Sequence, residues 1–442
     1  MARWTVLIIV ATAMMMGYFV NDVMSPLETL LEAPRSEGGL GWSPSDYGFF
    51  SGAGSFINVF LLMLFFSGLI LDKMGVRFTG TLACSLMVAG VLIKLYGVSA
   101  DFDSATLHVS LFVTHFELPL SVAVAALGFA VFGVGYEMCG ISVSKAMVRW
   151  FTGHELALAM GLQLAMARLG TAAALSVSAP IAQRYTLYTP LLVALALLII
   201  GLLAFLVFCV MDRRLDSQRT QQSTVNTQNA EEFRLRDIGT ILRNPGFWLI
   251  TMFVVLFYSA VSPFLKFATK LLIVKYGVDA GLAGAFTSIA PFGTMLLTPL
   301  FGSFYDRRGH GVTLVIIGTA MLAFVHFGFA MPLHSSLIAL SLMVVLAIGY
   351  SLAPAALWPC VPKIIPLRCL GTAYSLIFFI QNFGRAVIPM LVGRANEHDP
   401  SYTTGMLIFA ATALCAVAVA VGLLIIDRRK GYGLQLPNIQ RP

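Results

Sequence analysis

Charged residues are scarce in this chain. Only 11% of its 442 residues are charged and 58% are hydrophobic, whereas soluble domains carry about 25% charged residues. This composition excludes a water-soluble globular protein. Cysteine is also sparse, and the six cysteines fall in or beside apolar runs without the spacing of metal ligands. We therefore expect neither a disulfide nor a metal site.

Catalytic motifs are missing as well. The sequence has no nucleophile placed with a base and no phosphate-binding glycine loop, so we expect neither an enzyme nor a bound cofactor. It also has no N-x-[ST] glycosylation sequon. The first apolar run begins at Trp4, without a basic segment ahead of it or an A-x-A cleavage site behind it. That pattern is typical of a retained helix rather than a signal peptide.

Long apolar runs are what the chain has in abundance. A membrane-spanning helix needs about 20 apolar residues, and the runs predict an all-α transmembrane protein with twelve spanning helices. The predicted spans begin near Trp4, Tyr47, Phe78, Ser121, Leu156, Thr189, Phe247, Leu282, Val312, Ser335, Leu370 and Tyr402.

One long polar connection divides these runs into two sets of six. It is rich in Gln, Thr and Asn and then in Arg. We predict a six-helix bundle over residues 1–211, a cytoplasmic linker over 212–244, a second six-helix bundle over 245–430 and a cytoplasmic tail over 431–442.

The placement of Lys and Arg predicts the orientation. Nineteen of the 28 Lys and Arg residues fall in segments on the side of the amino terminus, and positive residues are retained on the cytoplasmic side. Both termini are therefore predicted to be cytoplasmic. The net charge of +7 follows from this topology, because the basic residues are spread over short loops and do not line one face. No nucleic-acid partner is expected.

The two sets of spans share an internal repeat. The turn after the second span has Gly68, Asp72 and Gly75, and the turn after the eighth span repeats these three residue types at the same spacing. In addition, the pair Gly135-Tyr136 recurs 214 residues later as Gly349-Tyr350. Two related six-helix halves are typical of secondary transporters, which hold their substrate between the halves near the membrane midplane.

The frame G-x-x-x-D-[RK]-x-G-x-[RK] in the first of these turns resembles the signature loop of the major facilitator superfamily. The degenerate second copy lies where that fold repeats the loop. The resemblance implies two pseudo-symmetric six-helix bundles with a gate at each turn. The gating residues that it implies are Gly68, Asp72, Gly75 and Arg77 in the first half and Gly302, Asp306 and Gly309 in the second.

Further stretches resemble a narrower group, the animal lysosomal dipeptide carriers and their bacterial relatives. They run from Gly133 to Glu137, Trp150 to Gly170, Tyr258 to Phe264, Tyr350 to Tyr374 and Gln381 to Gly384. This resemblance implies facilitated movement of dipeptides. It implies substrate contacts at Glu137, Arg168, Tyr258 and Trp358.

Two features depart from that group. The sequence lacks sequons and a long amino-terminal tail for sorting, so we expect a bacterial inner membrane, no accessory subunit and a monomer. It also carries Lys266 and Arg385 where the group pattern has uncharged residues. These two cations affect which substrate charge the site prefers.

Ionisable side chains within the predicted spans identify a candidate site. Each costs at least about 2.5 to 3.5 kcal/mol at the bilayer centre unless it has a partner or a wet cavity. The residues concerned are Glu137, Arg168 and Arg385, with Asp22 and Lys266 nearer the outer ends. Lys94, near the end of the third span, is expected to extend to the lipid headgroups.

A dipeptide carries an ammonium at one end and a carboxylate at the other, so its site needs both charge signs. Arg168 matches a carboxylate in bidentate geometry, and Glu137 accepts from an ammonium. Tyr258 and Trp358 would close over the middle of the substrate. Tyr136 and Asn382 complete the predicted site, with Asn382 one helical turn from Arg385.

Several alternatives stay open at this point. Glu137 and Arg168 pair with each other in one of them. In another, Trp358 is a membrane-interface residue and the tyrosines serve packing alone. Arg385 is either a third cavity charge or a partner of Asp22 or Glu137. The alternative functions are proton-coupled peptide transport, small-carboxylate transport and a non-transporting receptor.

Overall fold

The computed structural model describes residues 2–100, 102, 105–111, 114–151, 156–222, 239, 241–366 and 370–438. Its helices in the first half are α1 (Ala2–Asp22), α2 (Glu28–Glu32), α3 (Pro44–Ala53), α4 (Phe56–Phe60), α5 (Met63–Ser99), α6 (Leu120–Phe151), α7 (Leu156–Arg184) and α8 (Thr189–Gln222). Those in the second half are α9 (Pro245–Tyr276), α10 (Ala280–Arg308), α11 (Gly311–Ala330), α12 (Ser336–Leu357), α13 (Val361–Ile364), α14 (Leu370–His398) and α15 (Thr403–Lys430).

The all-helical prediction holds apart from one hairpin. Strands β1 (Thr106–Leu111) and β2 (Thr114–Pro119) form a two-stranded antiparallel sheet in the connection before α6. Single turns of 3-10 helix occur at Ser25–Leu27, Arg35–Glu37 and Trp358–Cys360. The hairpin connects two spanning helices and contributes nothing to the space between the two halves.

Eleven helical segments of the described chain are long and apolar enough to cross a membrane. The second predicted span, near Tyr47, is not one of them because it is divided among α3, α4 and the beginning of α5. Leu62, between α4 and α5, has a positive φ of 53°, which interrupts the helix there. The count of twelve spans and the cytoplasmic termini stay predictions.

The repeated turn forms a similar backbone break in both halves. Gly75, within α5, has φ 79° and ψ 171°, and Gly309, after α10, has φ 74° and ψ −140°. A positive φ is strained for residues with a side chain, so glycine is favoured at both positions. Each glycine follows the Asp of the frame by three residues, and the repeat seen in the sequence therefore encodes a repeated non-helical turn.

The two halves pack against each other through α3 with α14 and through α7 with α10. At the first contact, a Cβ on Gly48 would lie 2.5 Å from the Pro389 carbonyl oxygen. At the second, a Cβ on Gly284 would lie 2.0 Å from the Leu175 carbonyl oxygen. Both contacts lie on the side where α3 begins and α14 ends, opposite the two chain termini. We call this the distal side, and the side of the termini the proximal side.

Polar contacts add to the closure of the distal side. Lys270 of α9 lies 3.4 Å from Glu28 of the first half and also pairs with Glu32. The Lys270 side chain is 7% exposed and that of Glu28 is fully buried. Ser45, at the start of α3, donates to Glu397 near the end of α14. The sequence does not indicate these pairs, because each joins residues more than 200 positions apart.

The proximal side of the first half is held by Asp212. This residue, at the predicted start of the linker, is fully buried within α8, which continues to Gln222. Its carboxylate lies 3.3 Å from Arg149 and 3.8 Å from Arg77, and it accepts from the indole of Trp150 at 3.0 Å. The domain boundaries stay predictions, since residues 223–238 lie outside the described chain.

The carboxyl-terminal tail packs on the proximal side of the second half. The backbone N–H of His310 donates to the Gln435 carbonyl at 2.7 Å, and Lys363 donates to the Leu436 carbonyl at 2.7 Å. Asn438 donates to Asp306 of the repeated turn, also at 2.7 Å. The tail thereby covers the second turn, whereas the first turn is fastened through Arg77 and Asp212.

Candidate functional site

A cavity of about 130 Å³ lies between the two halves. Helices α1, α3, α6 and α7 of the first half contribute to its wall, together with α9, α12 and α14 of the second. Seven of the nine predicted substrate-binding residues line it: Asp22, Tyr136, Glu137, Arg168, Tyr258, Lys266 and Arg385. Five of the seven were predicted from the scarcity of charge within the spans, and Tyr136 and Tyr258 were added as aromatic residues of the site.

One ion pair crosses the cavity. The Glu137 Oε1 atom on α6 lies 2.7 Å from Arg385 Nη1 on α14. Their side chains are 20% and 23% exposed, so the pair remains partly accessible. The sequence left Asp22 and Glu137 open as partners of Arg385. In the structure, Arg385 pairs with Glu137.

Arg168, on α7, has a different partner. Its Nη1 atom donates to the Tyr350 hydroxyl at 2.9 Å, and its guanidinium lies 5.1 Å from the centre of the Tyr350 ring. Glu137 and Arg168 therefore contact different groups, both across the interface between the halves. Tyr350 was absent from the predicted site, although its position 214 residues after Tyr136 pointed to it.

A second cross-cavity ion pair joins Lys266 of α9 to Asp22 at the end of α1. Their Nζ and Oδ1 atoms are 2.6 Å apart, and Lys266 also donates to the Asn21 carbonyl. The other Asp22 oxygen accepts from the Thr171 hydroxyl at 2.8 Å. Thr171 lines the cavity and was not predicted, because a hydroxyl in an apolar run gives little signal.

Aromatic side chains surround these charges. Tyr136 packs against Tyr18 with ring centres 5.0 Å apart, and Tyr258 packs edge-on against Tyr350 at 6.5 Å. All four tyrosines line the cavity. The wall therefore offers hydroxyl groups as well as ring faces to a molecule in the cavity.

Two predicted site residues are not part of the wall. Trp358 lies behind Tyr258 and donates to its hydroxyl from Nε1 at 3.3 Å. Asn382 is 2% exposed and donates to the Phe378 carbonyl of its own helix at 2.9 Å. Its placement one turn from Arg385 thus fails to bring it into the cavity. Trp358 orients Tyr258 in this arrangement and does not line the space itself.

The expectation for Lys94 is wrong. Its side chain is 1% exposed and does not extend to the membrane surface. The ammonium lies 4.9 Å from the ring centre of Phe129 and 5.7 Å from that of Phe132, and 3.4 Å from the Val20 carbonyl oxygen. Lys94 lies on the face of α5 that packs against α6. The position of a residue along the sequence does not indicate which face of the helix it occupies.

The surroundings of the predicted gating residues differ from one residue to the next. Gly68 and Gly302 have open space where a Cβ would lie. Arg77 pairs with Asp212, and Asp306 accepts from Asn438. The side chain of Asp72 lies outside the described part of the structure, so its gating role stays a prediction.

The charges of the cavity wall do not balance. Three cationic side chains line it, and the two acidic ones, Asp22 and Glu137, are each already paired. Within the described residues, Arg168 is the lining cation that has no carboxylate in ion-pair distance. A guanidinium offers five donors and matches a carboxylate in bidentate geometry. The cavity is therefore suited to a molecule that brings a negative group.

Two helical halves around a central polar cavity define a multi-pass membrane transporter. A family model of the Major Facilitator Superfamily matches residues 7–389, and the chain belongs to this family. The expectation that the protein is not an enzyme is thereby confirmed, because the family consists of transporters. The resemblance of the chain to this family is confirmed as well.

The chain is similar to curated dipeptide transporters. It is 30% identical over 394 residues to the lysosomal dipeptide transporter MFSD1 of Danio rerio, which covers 86% of this chain and 79% of that protein. Identity to the human protein of the same name is 26% over 394 residues, with coverage of 86% and 78%. The resemblance to the narrower group is therefore confirmed.

Solved structures share the fold. A D-xylose-proton symporter matches with a TM-score of 0.69 at 15% identity, over 94% of this chain and 97% of its own. A POT family transporter in complex with a thioalcohol-conjugated peptide matches with a TM-score of 0.69 at 13% identity, over 96% of both chains. At these identities the likeness concerns the fold alone.

Proposed function

We propose that this protein moves dipeptides across a membrane by alternating access, as a facilitative uniporter. The observation that carries the proposal is the Arg168 guanidinium, which faces the cavity between the halves and has no carboxylate partner among the described residues. The curated relatives, named as dipeptide transporters, support the substrate class. We further propose a monomer in a bacterial inner membrane.

Arg168 receives the carboxylate end of the substrate in this proposal. One of its five N–H groups donates to Tyr350, which leaves others to form a bidentate pair. Because Tyr350 belongs to the second half and Arg168 to the first, a carboxylate bound here lies where the halves meet. Its binding therefore alters the contact between them.

Glu137 receives the ammonium end. Its Oε1 atom accepts from Arg385, so the substrate ammonium replaces Arg385 as the partner of Glu137. The exchange replaces a contact between the halves by a contact with the substrate. Tyr258, held by Trp358, lies between the two ends and contacts the peptide backbone.

Alternating access requires that the distal contacts break. In this structure α3 and α14 approach closely, and Lys270 is paired with Glu28 and Glu32. Opening of the distal side separates these pairs while contacts form on the proximal side. Of the repeated glycines, Gly309 follows the end of α10 and Gly75 lies at the kink within α5, and we place that movement at these two turns.

A small-carboxylate carrier is the second candidate. It is favoured by the pairing of both cavity acids, Asp22 and Glu137, which leaves an anion site and no free acid for an ammonium. Such a substrate would occupy Arg168 and leave the Glu137–Arg385 pair intact. The two candidates therefore differ in whether Glu137 matters for binding.

Ligand-induced thermal stabilisation of the purified protein tests the proposal. Ligands that bind the folded state raise the melting temperature. We expect stabilisation by dipeptides, its loss in Arg168→Ala and in Glu137→Gln, and its retention in the control Lys275→Met, whose ammonium donates to Phe329 within the second half. Uptake of the same dipeptides into proteoliposomes then measures transport, with and without a pH gradient.

The outcomes separate the candidates. Stabilisation by monocarboxylates but not by dipeptides, with Glu137→Gln unaffected, would replace the dipeptide proposal by the carboxylate carrier. Uptake that depends on an imposed pH gradient would exclude the uniporter mode and support proton coupling. Binding without uptake would support a receptor.

A further inference from the structure

A second, smaller cavity adjoins the central one. The two share Tyr18, Tyr136 and Glu137 as lining residues. The smaller cavity extends into the first half between α1, α5 and α6. The rest of its wall consists of Met14, Gly17, Met87, Cys139 and Gly140.

Two glycines, Gly17 and Gly140, are part of the wall of this space. An added Cβ on Gly140 would meet no heavy atom within 4 Å. One on Gly17 would lie 3.3 Å from the Met87 sulfur atom and 3.6 Å from the Tyr136 ring. Methionine side chains are flexible and adapt to different apolar shapes. The smaller cavity has a volume of about 40 Å³, and movement of Met14 and Met87 would let it receive an apolar side chain.

The position of Glu137 determines which group this is. In a dipeptide, the ammonium and the side chain of the N-terminal residue are attached to the same carbon atom. A dipeptide whose ammonium contacts Glu137 consequently directs that side chain to the immediate surroundings of Glu137. The smaller cavity is the recess in the wall at that place.

We propose that the smaller cavity is the subsite for the side chain of the N-terminal residue of a dipeptide, and that it takes an apolar side chain. We call it the N-terminal subsite. This inference rests on the proposed function, because it requires that Glu137 holds the ammonium. Glu137 is also the only charged residue of the described wall, and a second charge buried here without a partner would be costly.

The test uses two isomeric dipeptides, Leu-Ala and Ala-Leu, with Gly-Ala as a third ligand. The isomers have the same composition and charge and differ only in which residue bears the ammonium. For the unmodified protein we expect Leu-Ala to bind about tenfold more tightly than Gly-Ala, because a pocket that fits additional methylene groups typically discriminates by that factor or more. Affinity is measured by titration calorimetry on the purified full-length protein.

Gly140→Leu fills the N-terminal subsite. We expect it to weaken Leu-Ala by about tenfold or more and to leave Gly-Ala within about threefold, so that the preference for Leu-Ala disappears. The matched control is Gly422→Leu on α15, where an added Cβ would meet only Leu249 at 3.8 Å. Gly140→Ala provides a smaller step, with a partial loss for Leu-Ala, should the leucine variant not fold.

Two results would overturn the subsite. One is an equal effect of the Gly140 variants on Leu-Ala and Ala-Leu, and the other is no effect on either. Failure of the proposed function looks different, because then none of the three dipeptides binds the unmodified protein. Retained binding of Gly-Ala in Gly140→Leu, together with its loss in Glu137→Gln, would support both the N-terminal subsite and the proposed function.

Discussion

Glu137 and Arg385 belong to opposite halves of the molecule, yet their Oε1 and Nη1 atoms are 2.7 Å apart inside the central cavity. The pair joins α6 to α14. Any ligand that contacts Glu137 with its own cation competes with Arg385. In the proposed function, the pair is thus both part of the binding site and a contact between the halves that move.

Arg385→Gln removes this competitor. We expect dipeptide affinity to rise about fivefold, since a partly exposed ion pair contributes about 1 kcal/mol. Monocarboxylate affinity should fall in the same variant because the cavity loses a positive charge. Titration calorimetry with one ligand of each class measures both effects. Arg385→Lys keeps the charge and serves as the control, and weaker dipeptide binding in Arg385→Gln would contradict the exchange.

Arg168→Lys tests the geometry of the carboxylate contact. Lysine keeps the charge but lacks the planar fork, so we expect at least about a tenfold loss of dipeptide affinity, in line with about 1.5 to 3 kcal/mol for a hydrogen bond to a charged group. Tyr350→Phe removes one neutral partner of Arg168 and should cost less. Equal dipeptide affinities of the unmodified protein and of Arg168→Lys would show that the site recognises charge alone.

Lys270→Met tests the closure of the distal side. It leaves Glu28 buried without its cation, and breaking a buried pair costs about 3 to 5 kcal/mol. We expect the distal side to open more often, so that a cysteine introduced at Ser262, a residue of the cavity wall, reacts faster with a membrane-impermeant thiol reagent from that side. The measurement uses a background in which the native cysteines are replaced by serine.

The matched control for this experiment is Lys275→Met. Lys275 lies on the same helix but donates to the Phe329 carbonyl, within the second half. Its removal should not change the labelling rate at position 262. Equal acceleration in both variants would mean that a general loosening of α9, and not the loss of the Glu28 contact, opens the cavity.

Lys94 and Lys266 contact the same ring, Phe129, at 4.9 and 5.6 Å from its centre. Only Lys266 has a carboxylate partner, Asp22, among the described residues. We expect Lys94→Met to keep or raise the melting temperature, because it removes a buried charge. Lys266→Met should lower it, because Asp22 is left unpaired. A drop of similar size in both variants would show that Lys94 also has a stabilising partner.

The sequence predicted the parts of the fold that depend on local pattern. Apolar runs indicated the helices, and the recurrence of the Gly, Asp, Gly frame indicated two turns that the structure shows at Gly75 and Gly309. Charge scarcity identified five cavity residues, since an ionisable group inside a membrane span is costly and needs a partner.

The sequence does not determine which residues pair across the two halves. Nothing local shows that Arg385 contacts Glu137, because the two are 248 positions apart and meet only when the halves pack. The predicted place of Asn382 in the cavity is wrong for a related reason. A separation of one helical turn allows Asn382 and Arg385 to face the same cavity but does not require it. Lys94 was misread because distance along a span does not indicate whether a side chain faces lipid or protein.

The two repeated turns are held by unlike means. The turn at Gly75 is fastened through Arg77 to a buried carboxylate, and the turn at Gly309 is covered by the carboxyl-terminal tail. The two copies of the repeat therefore differ in which substitutions they tolerate. Equivalent substitutions in the two halves should spread through different neighbours, so a mutational survey of one copy is a poor guide to the other, and the copies are free to diverge at different rates.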